Sequence, residues 1–139
     1  MAGTGELEAE IRERLGGNNR VELLGFIEES ERIELIARCD VMLLPFRTAV
    51  SVLGVSQTVL EVMAAGNVVL GTDTAAIKPS IQDGANGILR PLDEISETLV
   101  DLLSHPARIA ELGAAAREDA LRLWGVEDRV QDLLSAVDP

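Results

Sequence analysis

The sequence has little of three residue types on which many functional sites depend. Its 139 residues include one cysteine, one histidine and one lysine. The single Cys39 excludes a disulfide within the chain and gives no metal-ligand spacing. Its apolar surroundings in Ile33–Cys39 are more typical of a buried, inert thiol than of a reactive one. His105 precedes a proline at a predicted helix start, which is more typical of a surface capping residue than of a catalytic base.

Long apolar runs are also missing. No run reaches the roughly 18–20 residues of a membrane-spanning helix, so we expect no integral membrane segment. Residues 1–17 lack the apolar core of a signal peptide. We therefore expect a cytoplasmic protein, free or peripherally attached to a membrane. A hydrophobic fraction of 47% over 139 residues predicts one domain that spans the whole chain and has a sizeable core.

The charge balance excludes another class of partner. There are 24 acidic and 12 basic residues, giving a net charge of −12. A general affinity for nucleic acid or anionic lipid needs basic patches, so we expect neither. The acidic excess, with Lys78 the single lysine, indicates a salt-adapted protein, because high salt screens the self-repulsion of such a surface.

Short apolar runs alternate with amphipathic segments along the chain. This pattern predicts an α/β, Rossmann-like, three-layer domain with a parallel sheet and a helical C-terminus. The predicted strands are 21–25, 41–45, 68–72 and 87–90. The predicted helices are 6–15, 30–38 with Ser30 as N-cap, one starting at Ser56, a helical turn over 74–80, and 93–103, 106–123 and 126–136.

The segment Ser56–Thr72 carries the strongest chemical signal. It predicts an apolar helix, a glycine turn and a buried strand. The helix is polar only in its first turn (Ser56, Gln57, Thr58) and at one acid, Glu61. Amides at a helix N-terminus can hold an anion, and a carboxylate can accept hydrogen bonds from hydroxyls. Phosphates beside a polyol describe a nucleotide sugar. The alternative for Glu61 is a solvated position at the edge of the helix.

Other turns are expected at the same edge of the sheet, because ligands of open α/β sheets bind outside the carboxyl ends of the strands. Arg47 lies in the loop that leads to Ser56 and can pair with a phosphate, although a solvated arginine is equally typical there. The further turns that we expect to line this crevice are Gly3–Gly5, Gly25–Ile27 and Thr72–Thr74.

These features together resemble a known family. The chain is similar to the C-terminal, donor-binding half of GT-B glycosyltransferases, the retaining nucleotide-sugar-dependent enzymes called glycosyltransferase group 1 or family 4. Six motifs resemble the family's in order and spacing along nearly the whole chain: AGTGELEAEI, VELLGFI, ARCDVMLLP, TVLEVMAAGNVVLGT, IQDGANGILRPLD and SHPARIAELGAAARE.

The resemblance implies roles for the same residues. Glu61 would be the ribose-binding acid, and the N-terminus of the helix at Ser56 would cradle the diphosphate of a UDP- or GDP-sugar. The backbone after Gly25 would meet the base. The family's activity implies transfer of a hexose from the donor to an acceptor. Many members use no metal, so none is expected here, and no catalytic residue is assigned.

The sequence departs from the family pattern in two ways. The family's first glutamate, eight positions before Glu61, is replaced by Leu53. The family's basic pair, its two preceding strands and its acceptor-binding domain have no counterpart in these residues, so we expect a domain that lacks its first strands. In the usual order 3-2-1-4-5-6 those strands are central. Exposed strand edges invite pairing, so we expect an oligomer or an acceptor domain on another chain.

Two other functions are compatible with this sequence. One is a non-catalytic nucleotide-sugar-binding or interaction module, or one subunit of a split transferase; Leu53 favours it. The other is a receiver-like signalling domain of similar topology. That alternative is disfavoured, because the acidic cluster that such domains need after their first strand is missing.

Overall fold

The computed structural model describes residues 1–46, 56–125 and 130. The chain forms two compact units, one from Met1 to Leu35 and the other from Ile36 onward. Among the described residues, no helix is both long and apolar enough to span a bilayer.

The first unit is built around two helices. Helix α1 spans Glu8–Leu15 and carries two ion pairs, Arg12–Glu8 at 2.9 Å and Arg14–Glu10 at 2.8 Å. Helix α2 spans Glu29–Ala37 and passes into the second unit. The predicted N-cap at Ser30 is wrong, because the helix begins one residue earlier. The carboxylate of Glu31 accepts the N–H of Glu28 at 2.9 Å, which stabilises this earlier start.

The predicted strand over 21–25 is also wrong as a regular strand. Leu24 donates its N–H to Met1 at 2.8 Å, and Gly3 donates to Gly25 at 2.6 Å. One isolated parallel bridge joins Ala2 and Gly25, and residues 21–24 form no regular ladder within the part of the chain that the structure describes. Gly3, whose φ is 131°, ends the pairing just after this bridge.

The second unit contains the parallel sheet that the sequence predicts. Its strands are β1 (Val41–Leu44), β2 (Val68–Gly71) and β3 (Ile88–Leu89), in the spatial order β1-β2-β3. Val41 lies opposite Val68, and Leu70 opposite Ile88. The four residues of β2 are all buried, as expected for the middle strand of a sheet covered on both faces.

Helices cover both faces of this sheet. They are α3 (Gln57–Ala64), α4 (Ile95–Leu103, preceded by a 3₁₀ turn over Leu92–Glu94) and α5 (Pro106–Trp124). Val69 packs into one apolar cluster with side chains of α3 and α5. Val68 and Leu70 point the other way, into a second cluster with α4 and Leu112 of α5. The α/β three-layer prediction is therefore confirmed. Residues 74–80 form hydrogen-bonded turns, and the predicted helix 126–136 lies outside the described residues except Val130.

Helix α5 approaches the end of α3 closely. Helix α3 ends at Ala64, and Gly66, two residues later, has a left-handed φ of 82°. The carbonyl of Gly66 faces Gly113 of α5. One turn further along α5, Arg117 donates to the Ala64 carbonyl. The glycine allows the two backbones to meet, and the arginine satisfies a carbonyl left open at the helix end.

The turn between β2 and β3 is held by Asn86, which is 3% exposed. Its Oδ1 accepts the Gln82 N–H at 2.7 Å, and its Nδ2 donates to the Ser80 carbonyl at 3.3 Å. Nδ2 also donates to Asp119 of α5 at 2.8 Å. This turn is thus tied to α5, a helix far away in the sequence.

Candidate functional site

The N-terminus of α3 lies at the carboxyl edge of the sheet. Ser56 is the N-cap, with extended backbone, and its N–H donates to the Ala76 carbonyl at 3.0 Å. The turn that contains Ala76 follows the end of β2. At the same edge, the Thr72 hydroxyl donates to the Phe46 carbonyl at 2.9 Å, joining the residues that follow β1 and β2. The polar first turn of α3 therefore begins beside two strand ends.

Glu61 lies one turn into α3 and is half-buried. Its Oε1 accepts a hydrogen bond from Gln57 Nε2 at 3.0 Å. Ser56 and Glu61 are five residues apart, which is about 7.5 Å along a helix axis. Gln57 is exposed and Thr58 is half-buried. The structure therefore brings Ser56, Gln57, Thr58 and Glu61 together on two turns of one helix.

The predicted glycines of the first unit share a separate pocket. Gly3, Gly5 and Gly25 line a cavity of about 440 Å³ beside the start of α1. Arg12 of α1 reaches this cavity, and its guanidinium lies 3.8 Å from the position that a Cβ would take at Gly25. Gly25 has a φ of 65°, a conformation that glycine adopts without strain.

The remaining predicted residues have different positions. Phe26 is 73% exposed and Ile27 is half-buried; neither is among the residues that line the glycine cavity. Arg47 and Leu53 lie outside the described residues. The half-buried thiol of Cys39 and the exposed His105, which is the N-cap of α5, take no part in either group.

A cleft of about 640 Å³ lies where β2 and β3 end, and we call it the strand-end cleft. Of its lining, only the Thr72–Thr74 turn is predicted from the sequence to border the crevice. Two ion pairs lie in its lining, Lys78 with Asp73 and Arg90 with Asp83, each at 2.9 Å. A basic residue at the end of a short predicted strand, as in GILR, is the signal that could have identified Arg90. The rest of the lining is Phe46, Ile81, Leu89, Pro91 and Leu92.

Arg90 is fixed by its neighbours. Its backbone N–H donates to the Gly71 carbonyl at 2.9 Å. Its guanidinium nitrogen NH1 donates to both carboxylate oxygens of Asp83, each at 2.9 Å. Asp83 also accepts the Leu89 N–H at 3.0 Å. Partial burial alone would raise the pKa of Asp83. The Leu89 and Arg90 hydrogen bonds and the Arg90 charge outweigh burial, so the pKa of Asp83 lies below its ordinary value.

This lowered pKa predicts a pH-dependent contribution to stability. Because the folded state favours ionised Asp83, the contribution is complete above the unfolded pKa of about 3.9 and is lost as the pH falls through the lower folded value. We expect Asp83→Asn to lower the urea midpoint near neutral pH and to have a shrinking effect below about pH 4. A difference between wild type and variant that stays constant down to strongly acidic pH would contradict this.

No cluster of three or more potential metal-ligating side chains occurs in the part of the chain that the structure describes. The candidate site therefore consists of a helix N-terminus, a carboxylate and paired surface charges. Such groups bind phosphates and hydroxyls.

Solved structures share this architecture. The Anabaena protein Alr3699/HepE, crystallised with UDP-glucose, superposes with a TM-score of 0.75 at 21% identity, over 97% of this chain and 40% of that one. The C-terminal domain of the Francisella tularensis group 1 glycosyl transferase LpcC gives a TM-score of 0.66 at 23% identity, over 87% of this chain and 62% of that one. These matches show the Rossmann-like fold of GT-B proteins.

Sequence comparison gives the family. One similar protein, from Corynebacterium glutamicum, is described as a GDP-mannose-dependent monoacylated alpha-(1-6)-phosphatidylinositol monomannoside mannosyltransferase. It is 31% identical over 148 residues, covering 98% of this chain but only 38% of the relative. The sequence profile of the family described as Glycosyl transferases group 1 matches residues 1–105, about three quarters of the chain. The chain therefore belongs to the group 1 glycosyl transferases.

Proposed function

We propose that this chain binds the nucleotide-sugar donor of a retaining glycosyltransferase that moves a hexose from a nucleotide diphosphate to an acceptor. The N-terminus of α3 would receive the diphosphate and Glu61 would accept hydrogen bonds from the ribose hydroxyls. The glycine turns at Gly3–Gly5 and Gly25–Ile27 would border the nucleoside, and Arg47 would pair with a phosphate.

The observation that carries this proposal is the placement of α3. Its first turn lies at the carboxyl edge of a parallel sheet, where its N–H groups are not used by the helix itself and its dipole favours an anion. Glu61 lies about 7.5 Å further along the axis, which is close to the distance between a nucleotide's phosphates and its ribose. Gln57 holds the carboxylate by a 3.0 Å hydrogen bond.

The relatives support a choice of donor. The corynebacterial relative is described as GDP-mannose-dependent, and the Anabaena structure contains UDP-glucose. Both compounds are nucleoside diphosphate hexoses. GDP-mannose and UDP-glucose are therefore the first donors to test.

A second candidate function is a nucleotide-sugar-binding module without its own transferase activity, or one subunit of a split transferase. Leu53 favours this alternative, because a leucine cannot supply the hydrogen bonds of the family's first acid. The two candidates differ in turnover and share the donor site, so both require Glu61 to contact the donor.

Calorimetric titration of the full chain with GDP-mannose and UDP-glucose tests the donor site. Hydrogen bonds to a charged group are worth about 1.5–3 kcal/mol, so we expect Glu61→Ala to weaken binding of the better donor about 10- to 100-fold. Glu61→Gln keeps the size of the side chain and one acceptor oxygen, and it should lose less.

Glu97→Gln is the matched control, because Glu97 is an exposed acid on α4. It makes the same change in net charge as Glu61→Gln, and we expect no change in affinity. Equal binding by wild type and Glu61→Ala would overturn the role proposed for Glu61. Failure of both donors to bind wild type would overturn the proposed function.

We further propose that this chain belongs to a salt-adapted cytoplasmic protein, and that it works with an acceptor-binding domain or as an oligomer. The net charge of −12 supports the salt adaptation. Sedimentation velocity over a range of salt and protein concentrations would test the salt adaptation and the self-association, and a monomer insensitive to both variables would contradict these two.

A further inference from the structure

We infer that the strand-end cleft binds the ring of a polyol, either a pyranose or a cyclitol. This inference rests on the proposed function in one respect, the identity of the molecule that carries the ring, which is either the donor or the acceptor. The chemistry of the cleft itself comes from its two ion pairs and its apolar lining.

The charges in the cleft select for hydroxyl groups. Asp73 and Asp83 are acceptors, whereas Lys78 and Arg90 are donors only. The two carboxylates would repel a phosphate, and the two basic groups would repel a cation. Neither kind of ion therefore fits this balanced set of charges. A hydroxyl both donates and accepts, and neighbouring hydroxyls on a ring can satisfy an acid and a base together.

The remaining lining suits the carbon face of a ring. Phe46, Leu89 and Leu92 offer apolar surface beside the ion pairs, and Phe46 and Leu92 are 39% and 40% exposed. A volume of about 640 Å³ accommodates a monosaccharide. Small-molecule sites commonly combine an apolar lining with a few polar groups that fix orientation.

Hydrogen bonds connect the lining of the cleft to the start of α3. The Thr72 hydroxyl binds the Phe46 carbonyl, and both residues line the cleft. The turn that contains Lys78 also contains Ala76, whose carbonyl accepts the Ser56 N–H. A diphosphate at the first turn of α3 would therefore lie next to a ring in this cleft.

The ion pair of Asp73 and Lys78 can be removed by mutation without unfolding the protein. The side chains of Lys78 and Asp73 are 66% and 54% exposed, and exposed pairs contribute little to stability. The double variant Asp73→Asn/Lys78→Gln removes one pair without changing the net charge. The double variant Glu10→Gln/Arg14→Gln does the same to the exposed pair on α1 and serves as the control.

The experiment is an amide-resolved NMR titration of the full chain with four probes. They are GDP, GDP-mannose, methyl α-D-mannopyranoside and myo-inositol, with the last two added in the presence and absence of GDP. We expect the amides of residues 72–74 and 90 to shift with a ring-bearing probe and not with GDP. We expect Asp73→Asn/Lys78→Gln to weaken that response about tenfold or more, and the α1 control to leave it unchanged.

The probes distinguish the two sources of the ring. Shifts at these amides with the free rings indicate an acceptor ring, whereas shifts with GDP-mannose alone indicate the donor's ring. If GDP shifts the amides of α3 and no ring-bearing probe shifts the cleft, the inference fails and the proposed function stands. If the free rings bind the cleft, and neither GDP-mannose in this titration nor UDP-glucose in the calorimetric one binds anywhere, the inference stands and the proposed function fails. Equal weakening by both double variants would also overturn the inference.

Discussion

Replacing Gly113 by alanine is expected to destabilise the second unit by about 3 kcal/mol. A Cβ at this position would overlap the carbonyl oxygen of Gly66 and lie 3.1 Å from its carbonyl carbon. Both groups are backbone, so no side-chain rotation can relieve the overlap. Because α5 contributes Ala116 and Ala120 to the same apolar cluster as Val59 and Met63 of α3, a shift of α5 would also open that cluster.

Urea unfolding followed by circular dichroism measures this effect. Gly17→Ala is the matched control, because a Cβ there would meet nothing within 4 Å and Gly17 is not in the left-handed region. The control should change the free energy of unfolding by less than about 1 kcal/mol. Equal stability of the two variants would show that α5 and the end of α3 do not approach as described.

Replacing Asn86 by alanine should cost about 2–4 kcal/mol in unfolding free energy. The variant loses three hydrogen bonds, to the Gln82 N–H, the Ser80 carbonyl and the Asp119 carboxylate. Asn86 is buried, so water cannot readily replace the lost partners. Because Asp83 precedes Asn86 in the same turn and orients Arg90, we also expect the strand-end cleft to lose order.

Thermal and urea unfolding of Asn86→Ala should be compared with Asn18→Ala. Asn18 is exposed, and its side chain accepts one hydrogen bond, from the Arg20 N–H at 3.0 Å. Its removal should cost less than about 1 kcal/mol. If Asn86→Ala is no more destabilising than Asn18→Ala, the turn between β2 and β3 is not held by the contacts described.

Regular elements with strong patterns were predicted well from the sequence. The runs that became β1 and β2 are apolar and short, and Pro106 marks the first position of α5. The two local errors have tertiary or side-chain causes. Residues 21–25 have a strand pattern, but among the described residues they form a single bridge, from Gly25 to Ala2. Ser30 resembles a cap, but Glu31 accepts the N–H of Glu28, two residues before Ser30, and the helix begins at Glu29.

The part of the candidate site that lies on α3 could be predicted from the sequence. Ser56, Gln57, Thr58 and Glu61 follow from the polar first turn and the single acid of an apolar helix. The strand-end cleft was not predictable in full, because Asp73, Lys78, Asp83 and Arg90 meet only through the ends of two strands. Likewise, the link from Asn86 to Asp119 spans 33 residues and leaves no periodic signal.

Titration of the ¹⁵N-labelled full chain with GDP-mannose and with UDP-glucose tests the central claim most directly, because it locates the donor on individual residues. We expect one of these donors to shift the amides of Gln57, Thr58 and Glu61, and we expect Glu61→Ala to weaken this response at least tenfold. The proposed donor site is wrong if neither donor shifts these amides, or if a bound donor shifts other residues and leaves the first two turns of α3 unchanged.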